Sequence, residues 1–252
     1  MTTAERLLEG RLTKARFAQS IPVDAPYYEG PPFYYKDVDA MTIVYETDAE
    51  AAADMLPEGV SLILPAQAVL LVIYYPRSSF GPYNEAILTI RCAFDGVPHS
   101  YIAHIVVDTV PPLVGGREIW GFPKKIAHIT FEEEQELVSG TVERPAGVRL
   151  VTATMRPEWP VEQRAEPPNG GSLSLKVIPS AEADKPPAVA ELIRTPSLDR
   201  VVHEAWSGPA TLSFDTASDL DPWHRLPVRK VLGGTRSRYD FTLPHGEIVR
   251  TY

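Results

Sequence analysis

Three runs, Val69-Leu70-Leu71-Val72-Ile73-Tyr74-Tyr75, Ala86-Ile87-Leu88-Thr89-Ile90-Arg91-Cys92-Ala93-Phe94 and Ser100-Tyr101-Ile102-Ala103-His104-Ile105-Val106-Val107, decide how this chain folds. Each is short, apolar and rich in β-branched and aromatic residues, with turn signals at hairpin spacing between them, which is the pattern of successive β-strands. Residues 126–132, 137–142 and 149–155 continue the series, and 172–178, 201–206, 211–214 and 237–243 add further strands. Upstream, 41–45 alternates in the same way. So many strands predict an α+β, mainly β fold: an antiparallel sheet curved into a barrel or sandwich, with a few helices outside it. Helices are expected over 4–19, where Leu7, Leu8, Leu12 and Phe17 sit among charges, and over 49–56, which Thr47-Asp48 opens and Pro57 and Gly59 close. Residues 218–232 have room for a short helix around Pro222, whereas the proline-rich stretch 21–32 excludes one.

At 252 residues, with 44% hydrophobic content, the chain suits one domain spanning 1–252. Its 25 prolines lie between the periodic segments and not in a low-complexity block, which fits strands joined by stiff loops. A net charge of -9 excludes nucleic acid as the expected partner, since phosphate binding needs clustered cations. The basic stretch Val228-Arg229-Lys230 reads as a solvated face. With one cysteine, Cys92, there is no intramolecular disulfide and no cysteine-based zinc cluster, and its apolar setting marks a buried, inert thiol. No apolar run is long enough to span a bilayer and no leader pattern opens the sequence, so a soluble, cytoplasmic protein is expected.

The segment Gly115-Gly116-Arg117-Glu118-Ile119-Trp120-Gly121-Phe122-Pro123-Lys124-Lys125 is the most informative for chemistry. An amine must be uncharged to attack a carbonyl, and an ordinary lysine is almost wholly protonated at neutral pH. Desolvation and a nearby cation both favour the uncharged form. Successive side chains on a strand face opposite ways, so burial is expected to matter for Lys124 at least as much as the charge on Lys125. Taken alone, such a lysine pair reads as a solvated edge. Gly81-Pro82-Tyr83-Asn84-Glu85 places a carboxylate after a turn and before an apolar strand, where it faces either a cavity, ready to move protons, or solvent. His203 and Glu204 are adjacent and face apart if extended, which favours a structural histidine over a metal ligand. Trp120 and Phe122 are read as core residues or as the wall of a pocket for a flat or apolar partner.

These residues carry a resemblance. Gly116-Arg117-Glu118 with Gly121-Phe122-Pro123-Lys124-Lys125 resembles the Schiff-base lysine motif of the acetoacetate decarboxylase family, and Gly81-Pro82-Tyr83-Asn84-Glu85 resembles its acid motif. Val151-Thr152-Ala153-Thr154-Met155, Leu175-Lys176-Val177-Ile178-Pro179 and Val202-His203-Glu204-Ala205-Trp206-Ser207-Gly208-Pro209 follow in the family's order. The resemblance implies an antiparallel β-barrel-like body assembled as a homo-oligomer. It also implies Lys124 as the imine-forming residue, Lys125 as its cationic neighbour, Glu85 as the pocket carboxylate, and no metal or organic cofactor, the protonated imine being the electron sink. In that family the lysine is known to be made nucleophilic by desolvation or a nearby cation.

Two positions depart from the family pattern. Its decarboxylases carry a pocket arginine where an ungapped alignment has Val38, and a second acid on the strand 69–75, which here holds none. Val38 and Leu70 are therefore expected in the substrate pocket with Trp120 and Phe122, and Lys36 is a poor replacement for the arginine. A pocket so altered favours aldol condensation and dehydration of a pyruvate-type 2-keto acid with an aldehyde, for which Glu85, Tyr83 and the C-terminal Tyr252 are the candidate proton-moving groups. Decarboxylation of acetoacetate is the alternative enzyme reading. A non-catalytic barrel binding a small apolar ligand is the alternative of a different class.

Overall fold

In a computed structural model of the protein, residues 7–162 and 170–252 are described. In chain order the elements are β1 (Phe33–Glu46), α1 (Ala49–Ala53), β2 (Ser61–Leu62), β3 (Gln67–Tyr75), β4 (Arg77–Ser78), β5 (Tyr83–Phe94), β6 (Val97–Val107) and α2 (Val110–Gly115). A π-helical turn (Gly116–Trp120) leads to β7 (Lys124–Ile126), β8 (His128–Glu134), β9 (Leu137–Glu143), β10 (Arg149–Met155) and β11 (Trp159–Pro160). Then come β12 (Ser172–Ile178), β13 (Val189–Thr195), β14 (Leu198–Gly208), β15 (Ala210–Phe214), β16 (Lys230–Leu243) and β17 (Glu247–Thr251).

The predicted mainly β architecture is present. One sheet runs in the order β11-β14-β16-β1-β3-β5-β6-β12-β13-β17, and a second runs β15-β10-β9-β8. Among the described residues the long sheet does not close on itself: β11 and β17 lie at opposite ends of the order. One face of its centre packs on the small sheet. Even-numbered Ala68, Leu70 and Val72 of β3 and Ala86, Leu88 and Ile90 of β5 meet Val138, Val142, Val151 and Ala153 there, all buried. Burying a leucine, isoleucine or valine side chain contributes roughly 1.5–3 kcal/mol, so this layer is a major source of stability. The odd-numbered residues of the same strands, among them Ile73, Tyr75 and Tyr83, form a second cluster on the opposite face. Close approach of the sheets needs Gly140, where a Cβ would come within 2.8 Å of Val72.

Several expectations are corrected. Within the described part of 4–19 only a 3-10 turn, Lys14–Arg16, forms, because Leu7, Leu8, Leu12 and Phe17 stay exposed and no face is buried to hold a helix. The helix expected over 49–56 is one turn, Ala49–Ala53, capped by Asp48 accepting from the Ala51 N–H at 3.0 Å. Around Pro222 the helix is the 3-10 turn Trp223–Arg225. Sequence reading missed α2, whose Pro111 and Pro112 suggest a loop but stand in the first turn, where a missing N–H costs nothing. That helix has a topological task. β6 and β7 are parallel neighbours, with Ile105 opposite Lys124, and parallel strands cannot be joined by a hairpin. Among the described residues no helix is long and apolar enough to cross a membrane.

Candidate active site

The crossover delivers Lys124 to the face opposite the small sheet. The π-helical turn ends on Gly121 at φ 71, a left-handed conformation where a Cβ would meet the Lys176 backbone at 2.3 Å. The chain then turns through Pro123 and enters β7 with Lys124 inward and Lys125 outward, as strand alternation requires. Lys124 extends across Gly116, whose missing side chain leaves its path open: a Cβ there would lie 2.7 Å from Lys124 Cδ and Cε. Arg117 fixes the backbone at this point by donating from Nη1 to the Lys124 carbonyl at 3.1 Å.

Pairing of β3 with β5 sets Ile73 opposite Glu85 and Tyr75 opposite Tyr83, so all four side chains share that face. Lys124 Nζ donates to Glu85 Oε2 at 2.6 Å and the Tyr75 hydroxyl donates to Oε1 at 3.0 Å, with both charged residues buried. Both charges have left water, and their direct contact compensates part of the cost of burying them. Nζ also lies 5.9 Å from the ring centres of Tyr83 and Phe122. Tyr35 completes the group, its hydroxyl 3.4 Å from that of Tyr83. It reaches this face because β1 is irregular between Tyr35 and Val38, with Asp37 at φ 54 in a bulge that changes which residues point inward. Burial, with the nearby Glu85 charge adding to it, raises the pKa of Tyr75 far above the ordinary phenol range. For Tyr35 and Tyr83 burial is again the main cause of a raised value. These hydroxyls stay protonated and act as donors.

The pair sits under a cavity of about 1660 Å³ lined by Ile73, Ile87, Ile102, Ile105, Phe122 and Phe241 among others. Phe122 and Tyr83 line it with Lys124 and Glu85, and four other candidates do not. Val38 is fully buried without lining the cavity, and Trp120 lies beneath it, stacked on Phe122 at 5.3 Å and donating to the Pro244 carbonyl. Leu70 belongs to the other face, in the layer against the small sheet. Tyr252 is exposed at the far end, its hydroxyl donating to the Glu58 carbonyl at 2.8 Å. Lys125 turns away from Lys124 and donates to buried Asp221 at 3.0 Å, so whatever its charge does to Lys124 acts through the sheet and not by direct contact. Tyr75, Tyr35 and Gly116 escaped sequence reading; for Tyr75 the signal was there, since hairpin register aligns it with Tyr83.

Elsewhere, His203 accepts a place beside Asp240 at 3.0 Å and Glu204 pairs with Arg238, so neither faces the cavity in a metal-binding pair. The carboxylates of Asp37 and Asp240 close to His203 are held by Arg77 and Lys36. Cys92 is buried and its thiol pushed up to about 11 by that burial, which keeps it unreactive.

The profile of the acetoacetate decarboxylase (ADC) family matches residues 20–252. The chain belongs to that family. An acetoacetate decarboxylase of Bordetella avium (strain 197N) is 32% identical over 238 residues, covering 93% of this chain and 95% of the relative. The acetoacetate decarboxylase structure from Legionella pneumophila superposes with a TM-score of 0.84 at 27% identity, covering 98% of this chain and 99% of that one. The same fold occurs in the enduracididine biosynthesis enzyme MppR, complexed with the condensation product of pyruvate and imidazole 4-carboxaldehyde, at a TM-score of 0.78, 20% identity and coverage of 95% and 99%. Membership makes the chain a lyase-type enzyme of the acetoacetate decarboxylase family.

Proposed function

We propose that Lys124 forms an imine with a pyruvate-type 2-keto acid, and that the enamine made from it attacks an aldehyde, with loss of water. The observation that carries this reading is the buried 2.6 Å contact between Lys124 and Glu85 beneath the cavity. Moving a proton from Nζ onto Glu85 frees the amine. The amine adds to the ketone carbon, and Glu85 returns the proton to the departing hydroxyl, so that one water leaves as the iminium forms. Glu85, again a carboxylate, takes a proton from the methyl carbon, and the electron pair enters the iminium to give the enamine. Its carbon attacks the aldehyde carbonyl and the iminium re-forms, while a tyrosine hydroxyl protonates the alkoxide; the tyrosinate then takes a proton from the carbon next to the iminium as protonated Glu85 gives its proton to the departing hydroxyl, so the second water leaves, and addition of water to the iminium releases the unsaturated product and Lys124. The protonated imine is the only electron sink this reading needs.

Two features favour condensation over simple decarboxylation. The cavity-facing residues of β3, Val69, Leu71, Ile73 and Tyr75, include no second acid, and those of β1, Tyr35 and Thr42, include no cation. Phenol donors surround Lys124, which suits oxygen leaving and arriving. Decarboxylation of a 3-keto acid at the same imine remains the second reading, favoured by the identity to acetoacetate decarboxylases. Borohydride reduction with pyruvate, followed by mass spectrometry of the Lys124 peptide, should show the adduct, and added aromatic aldehyde should give an unsaturated product. Rapid release of carbon dioxide from acetoacetate, with no aldehyde product, would overturn the preference. Absence of an adduct with every keto acid would instead favour a non-catalytic binder.

A further inference from the structure

Glu85 is held at both of its carboxylate oxygens. Lys124 Nζ donates to Oε2 at 2.6 Å, and the Tyr75 hydroxyl donates to Oε1 at 3.0 Å. The proposed chemistry uses the first contact and leaves the second without a task. Tyr75 ends β3 opposite Tyr83, one diagonal step from Glu85, which sits opposite Ile73. Diagonal neighbours on one face of a sheet lie within reach of an aromatic side chain. The ring is fixed by what surrounds it: Tyr83 at 4.5 Å, Tyr35 at 5.0 Å and Phe241 at 6.4 Å between ring centres, with the residue only 4% exposed. Burial keeps its hydroxyl protonated, so it stays a donor at neutral pH. A glutamate's last torsion is broad, and a single contact leaves its carboxylate free to swing. Two contacts, one from β3 and one from β7, fix the carboxylate plane.

We infer that Tyr75 is a positioning residue, whose hydroxyl holds Oε1 of Glu85 and thereby aims Oε2 at the carbon from which the proposed mechanism takes a proton. The inference rests on the imine reading above. In a pyruvate imine the methyl carbon is two bonds from Nζ, so an oxygen that already touches Nζ reaches that carbon only while the carboxylate does not rotate away. With the Tyr75 hydroxyl committed to Glu85, Tyr83 and Tyr35 are left to serve the aldehyde oxygen.

The test is exchange of the pyruvate methyl protons in deuterium oxide, followed by proton NMR with no aldehyde present, because that step uses Glu85 and needs no acid for a second substrate. Borohydride trapping beside it counts the protein able to form the imine. In Tyr75→Phe, which keeps the ring, trapping at saturating pyruvate should reach the wild-type extent, and the concentration for half-maximal exchange should stay within about twofold. The maximal exchange rate should fall by about 10- to 100-fold, the range for one hydrogen bond to a charged group. Placed on Glu85→Gln, the same substitution should cost less than about twofold, because the base it aims is gone. Wild-type exchange in Tyr75→Phe overturns the inference, and so does a loss of trapping in step with exchange, which marks a merely structural role. A full further loss on Glu85→Gln overturns it too, since Tyr75 would then act on the substrate directly. Wild-type protein that neither traps nor exchanges pyruvate sinks the imine reading itself, and the inference falls with it.

Discussion

At the scale of single residues, the site is two buried opposite charges and a ring of phenols on the floor of a large cavity. Lys124→Met removes the one lysine among the described residues that line the cavity and should abolish the borohydride adduct seen by mass spectrometry of its peptide, whereas Lys125→Met should leave the adduct on Lys124. Glu85→Gln removes the proton acceptor that touches Nζ. The adduct should form more slowly, and turnover should fall by about 10²–10⁴-fold, the usual contribution of a positioned acid or base. Gly116 is a steric requirement: Gly116→Ala sets a methyl 2.7 Å from Lys124 Cδ and Cε, and the buried lysine has little room to yield. Displacing a reacting group by about 1 Å costs on the order of 10²-fold, so the trapping rate read by quenched-flow reduction should drop by about that factor. If Gly116→Ala traps pyruvate at the wild-type rate, Lys124 does not need that path.

At the scale of elements, the short strand β7 is what separates the two lysines, and it is anchored on its outer side. Asp221 is buried and accepts from Lys125 Nζ and from Arg144 Nε, while Arg144 also donates to the Ile126 carbonyl. Removing a buried carboxylate is costly when its partners are left charged and dry. Here Lys125 and Arg144 are about one-third to two-fifths exposed at their side chains, so water can take over part of the interaction. Asp221→Ala should therefore destabilise by about 1–3 kcal/mol in urea unfolding, below the full cost of orphaning a buried ion. A change under about 0.5 kcal/mol would show that β7 is held by its pairing to β6 alone. The same elements explain what could be read in advance. Period-two alternation put Glu85 just ahead of a strand and implied that Lys124 and Lys125, if extended, face opposite ways; the structure starts β5 at Tyr83 and β7 at Lys124, so both residues lie on strands. Alternation could not reveal α2 or the π-helical turn, because their prolines and glycines have the composition of a loop and only the parallel pairing of β6 with β7 demands a crossover.

At the scale of the whole molecule, two packed faces of one sheet serve different ends: the even-numbered side of β3 and β5 is the dry layer, and the odd-numbered side is the reactive cavity. On the dry side His104 stacks on Trp223 at 5.7 Å with Lys125, Asp221 and Arg225 nearby. Burial, reinforced by the Lys125 charge, lowers its pKa from 6.5 to about 4. Above pH 6.5 neither the folded nor the unfolded chain protonates this ring; below it the unfolded chain binds a proton that the folded one takes up only near pH 4. Stability should thus fall as pH drops from about 6.5 to 4, by at most about 3 kcal/mol from this residue. Comparing urea midpoints at pH 7 and pH 4.5 should show a smaller loss in His104→Phe, which keeps the stack and removes the titrating nitrogen. An equal loss in both proteins would assign the acid limb to carboxylates such as Asp240, held low first by Lys36 and then by His203. By itself the sequence determined the strand-rich class, the family-like motifs and the chemical identity of Lys124 and Glu85, because alternation and residue type are local properties. Only the tertiary structure decided which candidates meet. Register between β3 and β5 brought Tyr75 to Glu85, the bulge at Asp37 brought in Tyr35, and packing against the small sheet removed Leu70, since which face of a strand is buried depends on what lies against it.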